Sequence, residues 1–347
     1  MPLSYLRELA QYWAEEYDWR AAESRLNRYP QFRTTLDGAS VHFLHVRSRH
    51  PEARPLLLTH GWPGGVAEFL EVIDPLTDPT AHGGSPQDAF HLVIPALPGY
   101  GFSSPLPGPG WDVARVAGAW AQLMSELGYS RYLVQGGDAG SVVSLALGAL
   151  ATEHVAGVHV NMLMTFPGPD SPPPISLDDR DRARLDGLAR FDQELSGYLK
   201  VQATRPQTLA YALTDSPVGQ LAWIVERFKD WTDSAKVPED AVDRDLMLTI
   251  VTMYWLTATA GSSAQFYFEG AEGMRQVVAG ASPPPVTAPI AVAVFPKDIF
   301  LPIRRIAQHQ YPSISRWTEF EAGGHFAAME QPESLVADLR AFHRELR

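Results

Sequence analysis

Three acid–base side chains fall at turns that follow short apolar runs: Asp138, Asp298 and His325. Asp138 lies in Tyr132-Leu133-Val134-Gln135-Gly136-Gly137-Asp138-Ala139-Gly140-Ser141-Val142-Val143, an apolar run that turns into an Ala/Leu/Val-rich helical pattern lasting to about Ala151. A strand turning sharply into a helix strains its turn residue and needs small neighbours. That is the geometry of a nucleophile elbow, here Gly-x-Asp-x-Gly where Gly-x-Ser-x-Gly is usual. A carboxylate at the exposed position changes the chemistry and excludes a serine-type esterase. Asp298 follows the apolar run Ile290-Ala291-Val292-Ala293-Val294-Phe295, and His325 sits in Gly323-Gly324-His325-Phe326 after the stretch Trp317 to Phe320. Singly these are weak signals, since a Gly-Gly-Asp turn is often only a loop and an Asp after a strand often a helix cap. In the order nucleophile, acid, histidine they make a hydrolytic triad. His60-Gly61-Trp62-Pro63-Gly64, after another apolar run, can aim a backbone N–H at the same place; with the N–H after the nucleophile it makes an oxyanion hole, assigned to Trp62 and Ala139.

The surrounding pattern supplies elements to hold these groups. Residues 3 to 31 read as helical, with Leu6, Leu9 and Trp13 on one face. Phe32 to Ser48 alternates around Asp37-Gly38, a hairpin signal. From Leu56 apolar strands alternate with amphipathic helices, which requires a parallel sheet covered on both faces. Residues 167 to 174 hold five prolines, and from there to about Gly280 the pattern is helical. A strand returns at Ile290, and a last helix runs from about Pro332 to Leu346. The expected fold is therefore α/β, a mostly parallel central sheet with an inserted all-helical cap over its carboxyl edge, where open α/β sheets bind ligands. The divisions are an N-terminal helical strap and first hairpin over 1–48, a core over 49–167 and 286–347, and a cap over 168–285.

The totals narrow the function classes. With 28 basic and 40 acidic residues the net charge is −12, and no Lys/Arg cluster appears, which disfavours nucleic acid and anionic membrane. Zero cysteines exclude disulfides, thiolate metal sites and a cysteine nucleophile. The charged start Met1 to Leu9 is unlike a signal peptide, so a cytoplasmic protein is expected. Neither His-Glu-x-x-His nor a phosphate-cradling loop is present, and no metal or organic cofactor is expected.

Taken together, Gly136 to Ser141, His60 to Gly64, Phe295-Pro296-Lys297-Asp298 and Gly323 to Glu330 resemble the microsomal-type epoxide hydrolases of the α/β-hydrolase superfamily. Bacterial members, some from enediyne antibiotic pathways, are similar. The resemblance extends through the cap segments Asp215 to Gly219 and Ser262 to Tyr267. It implies the α/β-hydrolase fold and an epoxide substrate consumed with water, in detoxification or secondary metabolism. A homodimer is compatible with it. The resemblance further implies that Asp138 attacks an epoxide carbon to form an alkyl-enzyme ester, which water activated by His325 and Asp298 then hydrolyses. The family places two cap tyrosines over the ring oxygen, and Tyr267 matches one. The other is placed at Trp223, in Gly219-Gln220-Leu221-Ala222-Trp223, where an indole can shape the pocket but is no practical acid. A plain core aromatic on a helix face remains the rival reading of Trp223.

Two departures stand out: Ala139 where many relatives carry Trp, and a start partway into the family's N-terminal meander, which implies either a sequence that begins late or a reduced strap. A haloalkane dehalogenase shares the Asp-His-acid machinery but needs indole donors for halide, one commonly from the residue after the nucleophile. Ala139 cannot serve. A non-catalytic ligand-binding protein of this fold typically lacks a triad member.

Overall fold

The computed structural model describes residues 1–166 and 177–347. The proline-rich stretch 167–174, where the core was expected to give way to the cap, lies outside the described residues, which omit 167–176.

Eight strands form one sheet: β1 (Gln31–Leu36), β2 (Ala39–Val46), β3 (Arg54–Thr59), β4 (Phe90–Pro95), β5 (Tyr132–Gly136), β6 (Val155–Asn161), β7 (Ile290–Val294) and β8 (Ile314–Glu319). Their order is β1-β2-β4-β3-β5-β6-β7-β8, parallel from β4 to β8, with β2 antiparallel to both β1 and β4. Every residue of β4, β5, β6 and β7 is buried, as sandwiching between helix layers demands, and these strands carry no polar alternation. The β1–β2 turn puts Asp37 at φ 45° and Gly38 at φ 81°, the two left-handed residues that a two-residue hairpin needs.

Between β6 and β7 the described residues hold helices and no strand: Asp179–Arg190, Gly197–Thr204, Pro206–Asp215, Pro217–Trp231, Arg244–Thr257 and Ala260–Val278, with a π-helical turn over Phe191–Leu195. Local chemistry sets several of their starts. Pro206 and Pro217 open their helices, Ser216 accepts from Gly219 N–H, and Asp243 accepts from Leu246 N–H. The helix Arg244–Thr257 is buried at every position from Leu246 to Tyr254, because the N-terminal segment covers it. Trp13 Nε1 donates to Thr252 Oγ1 at 2.8 Å, Tyr12 Oη donates to Asp245 at 2.8 Å, and Tyr17 Oη meets Thr249 Oγ1 at 2.9 Å.

That N-terminal segment is helical over most of the expected span 3–31, though not as one unbroken helix. It forms two, Leu3–Glu15 and Trp19–Leu26, because the Asp18 carboxylate accepts from the N–H groups of Arg20 and Ala21 and starts a second helix. Among the described residues no helix is long and apolar enough to cross a membrane.

Candidate active site

Asp138 follows β5 with φ 51° and ψ −131°, a conformation that an L-residue holds only when its surroundings enforce it. The helix Ala139–Leu150 that comes next lies so close to β3 that a Cβ at Gly140 would stand 1.9 Å from the Thr59 carbonyl oxygen. Only glycine allows that approach, and the approach fixes the turn. The carboxylate points toward the loop after β3, where Trp62 N–H donates to Asp138 Oδ1 at 2.9 Å. Gly61 is again obligatory, since its Cβ would fall 2.1 Å from that oxygen. Ala139, the first residue of the elbow helix, is half-buried and carries one of the N–H groups left free at a helix start.

His325 is buried, and its ring bridges two carboxylates: Nδ1 to Asp298 Oδ1 at 2.8 Å, and Nε2 to Asp138 Oδ2 at 3.4 Å. Burial alone would depress its pKa, but Asp298 and then Asp138 outweigh that and lift it to about 10. The carboxylates on either side of the ring thus favour its charged form. The main chain of the loop is pinned as well. His325 N–H donates to the Trp231 carbonyl at 2.8 Å, Gly323 N–H to Asp233 Oδ2 at 3.0 Å, and Glu330 accepts from both Asp233 N–H at 2.8 Å and Phe326 N–H at 3.0 Å.

Rings form the opposite wall. Trp62 stacks on Tyr198 with centroids 5.4 Å apart and planes at 10°, and Tyr267 stands edge-on to Trp62 at 5.9 Å. Trp231 closes the side next to His325 at 4.9 Å. Four tyrosines here sense the Asp138 charge, and burial first, that charge second or later, raises each well above the ordinary phenol range. Two of the four hydroxyls are already used: Tyr100 donates to the Ser263 carbonyl and Tyr254 to the Gly64 carbonyl. Tyr198 and Tyr267 make no side-chain hydrogen bond among the described residues, which leaves two neutral phenol donors beside the nucleophile.

The expected residues thus converge with one exception. Asp138, His325, Asp298, Trp62, Ala139 and Tyr267 share one place; Trp223 does not. Its half-buried indole donates to Gln202 Oε1 at 3.0 Å and makes no ring contact with the Trp62–Tyr198–Tyr267 group. The reason is helical spacing. Trp223 and Trp231 lie on one stripe of Pro217–Trp231 but eight residues apart, about 12 Å along the axis. Trp231 reaches Tyr198, while Trp223 reaches Gln202, one turn beyond Tyr198.

Two further residues of the site went unread in the sequence. Tyr198 is one. Glu68 is the other, a buried carboxyl in the turn Val66–Phe69 whose pKa is pushed up to about 8, mainly by burial, with His325 lowering and Asp138 raising it. The signal for Glu68 was a lone acid in the apolar run Val66-Ala67-Glu68-Phe69-Leu70. Among the described residues no cluster of three or more acids and histidines is suited to hold a metal ion.

Comparison with known proteins bears on the family and the fold. Residues 1–69 match a family model described as epoxide hydrolase N terminus, and residues 54–332 one described as alpha/beta hydrolase fold. The chain is 47 % identical to a Stigmatella aurantiaca protein assigned to the epoxide hydrolases, over 100 % of this chain and 77 % of that protein. It is 34 % identical to epoxide hydrolase 1 of Sus scrofa, over 98 % of this chain and 79 % of the other. Among solved structures, the epoxide hydrolase of Aspergillus niger superimposes with TM-score 0.87 at 32 % identity, covering 100 % of this chain and 86 % of that one. The juvenile hormone epoxide hydrolase of Bombyx mori gives TM-score 0.89 at 32 % identity with the same coverage, 100 % and 86 %. With the α/β-hydrolase sheet, the aspartate elbow and these likenesses over its whole length, the chain belongs to the microsomal-type epoxide hydrolase family.

Proposed function

We propose that the chain hydrolyses an epoxide to a vicinal diol in two steps, both on Asp138. In the first, Asp138 attacks a ring carbon while Tyr198 and Tyr267 hold the ring oxygen, whose alkoxide is too poor a leaving group to depart unaided. A phenol with a raised pKa stays protonated at neutral pH and can donate. The ester formed is neutral, so one of the two carboxylates holding His325 in its charged form is gone. The imidazole pKa falls, so His325 gives up to solvent the proton it held at rest and then, as the neutral base, takes one from water while Asp298 orients it. That water attacks the ester carbonyl, and the Trp62 and Ala139 N–H groups receive the oxyanion.

The observation that carries this reading is the pair of unused hydroxyls, Tyr198 and Tyr267, in the ring cluster around Trp62 and within reach of the charge of a carboxylate that has its own base and acid behind it. Aromatic walls support an epoxide with apolar or aromatic substituents. The core is assigned to 49–167 and 286–347, with 168–285 the cap and 1–48 the strap.

A single turnover with excess enzyme in heavy-oxygen water tests the scheme. The first diol should carry none of the isotope, and the label should enter the Asp138 side chain. Label in the first diol would mean that solvent opened the ring directly. Styrene oxide should be turned over, and 1-bromobutane should release no bromide.

A further inference from the structure

The two unused phenols have unlike surroundings. Tyr267 is enclosed by rings, Trp62 edge-on at 5.9 Å and Tyr198 edge-on at 6.2 Å, and among the described residues no cation lies over it. Tyr198 has the guanidinium of Arg227 over its ring, with Cζ 5.1 Å from the centroid. The same group lies 5.7 Å from the Trp231 ring. Arg227 comes from Pro217–Trp231, four residues before Trp231, and its side chain is only 6 % exposed. Its Nη2 pairs with Glu226 and, at 3.1 Å, with Asp230, while its buried Nε has no hydrogen-bond partner. Those two carboxylates are 42 % and 29 % exposed, so water screens them, whereas little screens the cation from the enclosed tyrosine. The other charge that bears on Tyr198 is Asp138, which opposes ionisation of the phenol, while Arg227 favours it.

We propose that Arg227 makes the tyrosine pair unequal: it is a positioning residue that holds Tyr198 and stabilises negative charge on the phenol oxygen, so that Tyr198 is the proton donor in ring opening and Tyr267 donates only a hydrogen bond. The inference rests on the proposed role of the two tyrosines. Asp138 forms a bond to the ring carbon, the carbon–oxygen bond breaks, and its electron pair takes the Tyr198 proton, leaving a phenolate beneath the guanidinium. Asp138 has lost its charge by then, which removes the group that opposed that phenolate. In the second step one proton of the attacking water reaches the departing diol oxygen through His325. The other, freed as the Asp138 carboxyl ionises again, returns to Tyr198, and His325 recovers from solvent the proton it held at rest.

The test compares Tyr198→Phe and Tyr267→Phe in the native background and with Arg227→Gln. Rapid quenching and mass spectrometry of the adduct with styrene oxide give alkylation, and decay of the adduct gives hydrolysis. In the native background Tyr198→Phe should slow alkylation about 100-fold and Tyr267→Phe about ten-fold. Arg227→Gln alone should slow alkylation about ten-fold, leave ester hydrolysis unchanged, and bring the two tyrosine penalties together. An absorbance titration should show one tyrosine, missing in Tyr198→Phe, ionising at higher pH in Arg227→Gln. If Arg227→Gln slows both steps alike, or leaves the two penalties as unequal as before, the inference is overturned while the role of the tyrosines stands. If neither Phe variant slows alkylation, the proposed function falls with it. Should Arg227→Gln fail to fold, Arg227→Lys decides, because the retained charge should keep Tyr198→Phe the costlier change. Equal penalties there overturn the inference.

Discussion

The two walls of the site hold their groups by opposite means. On the sheet side, Asp138, Trp62 and His325 are fixed through the main chain: an elbow at φ 51°, a loop whose glycine meets the nucleophile, and a histidine whose own N–H is bound to Trp231. On the helical side, Tyr198 and Tyr267 are fixed by packing of their rings, Tyr198 also beneath the Arg227 guanidinium, and their hydroxyls are left over. Chemistry that needs an atom in one spot is on backbone-locked turns, while chemistry that must adapt to a substrate is on side chains. Substitutions on the sheet side should therefore stop individual steps, and those on the helical side should scale one step.

Asp138→Asn should give the largest effect, no covalent adduct and turnover lowered by about 10⁴ or more, read by mass spectrometry and diol assay. His325→Gln should separate the steps: the adduct forms at near-native rate and its decay slows by about 10³. Normal substrate consumption with no adduct in that variant would break the assignment of His325 to the second step alone. On the opposite wall Trp223→Phe should alter turnover of styrene oxide by less than about threefold, since its indole serves Gln202 and not the site. A loss as large as that of Tyr267→Phe would erase the contrast between a packed aromatic and a working one.

The smallest expected effect is on stability and concerns Glu68. Its folded pKa, about 8, lies above the unfolded carboxyl value near 4.5, so the folded protein binds a proton that the unfolded chain has already released. Stability from this group is thus lost as pH rises from about 4.5 to about 8. Glu68→Gln should melt close to native at pH 5 and a few degrees higher than native at pH 8.5. A variant that loses ground as pH rises would mean that the carboxyl is charged and held by a partner.

The sheet side was legible in the sequence because turns leave marks at fixed offsets. Gly136, Gly137 and Gly140 around one acid, and Gly323-Gly324 before one histidine, are weak marks singly, but together and in that order at the ends of apolar runs they point to one site. The order of the strands was not legible, and neither was the break at Asp18, since one capping side chain decided it. In the cap, a helix lists its residues without saying which neighbour each will face. Tyr198 is one of 12 tyrosines, and only the packing of Gly197–Thr204 against Trp62 singles it out. Trp223 read as well as Trp231, because both lie on the same stripe, and two turns of helix separate their fates. Glu68 was visible as a misfit among apolar neighbours, but its nearness to Asp138 depends on how the turn after β3 folds back.

The hydrogen bonds between 231–233 and 323–330 set a rule for anyone grafting a new lid onto this enzyme. A chimera spliced at the ends of β6 and β7 would import fresh rings above the nucleophile, yet the imidazole loop stays with the host and needs a carbonyl at 231 and an acid at 233 from the donor. Those two positions travel with the histidine, whichever organism supplies the helices.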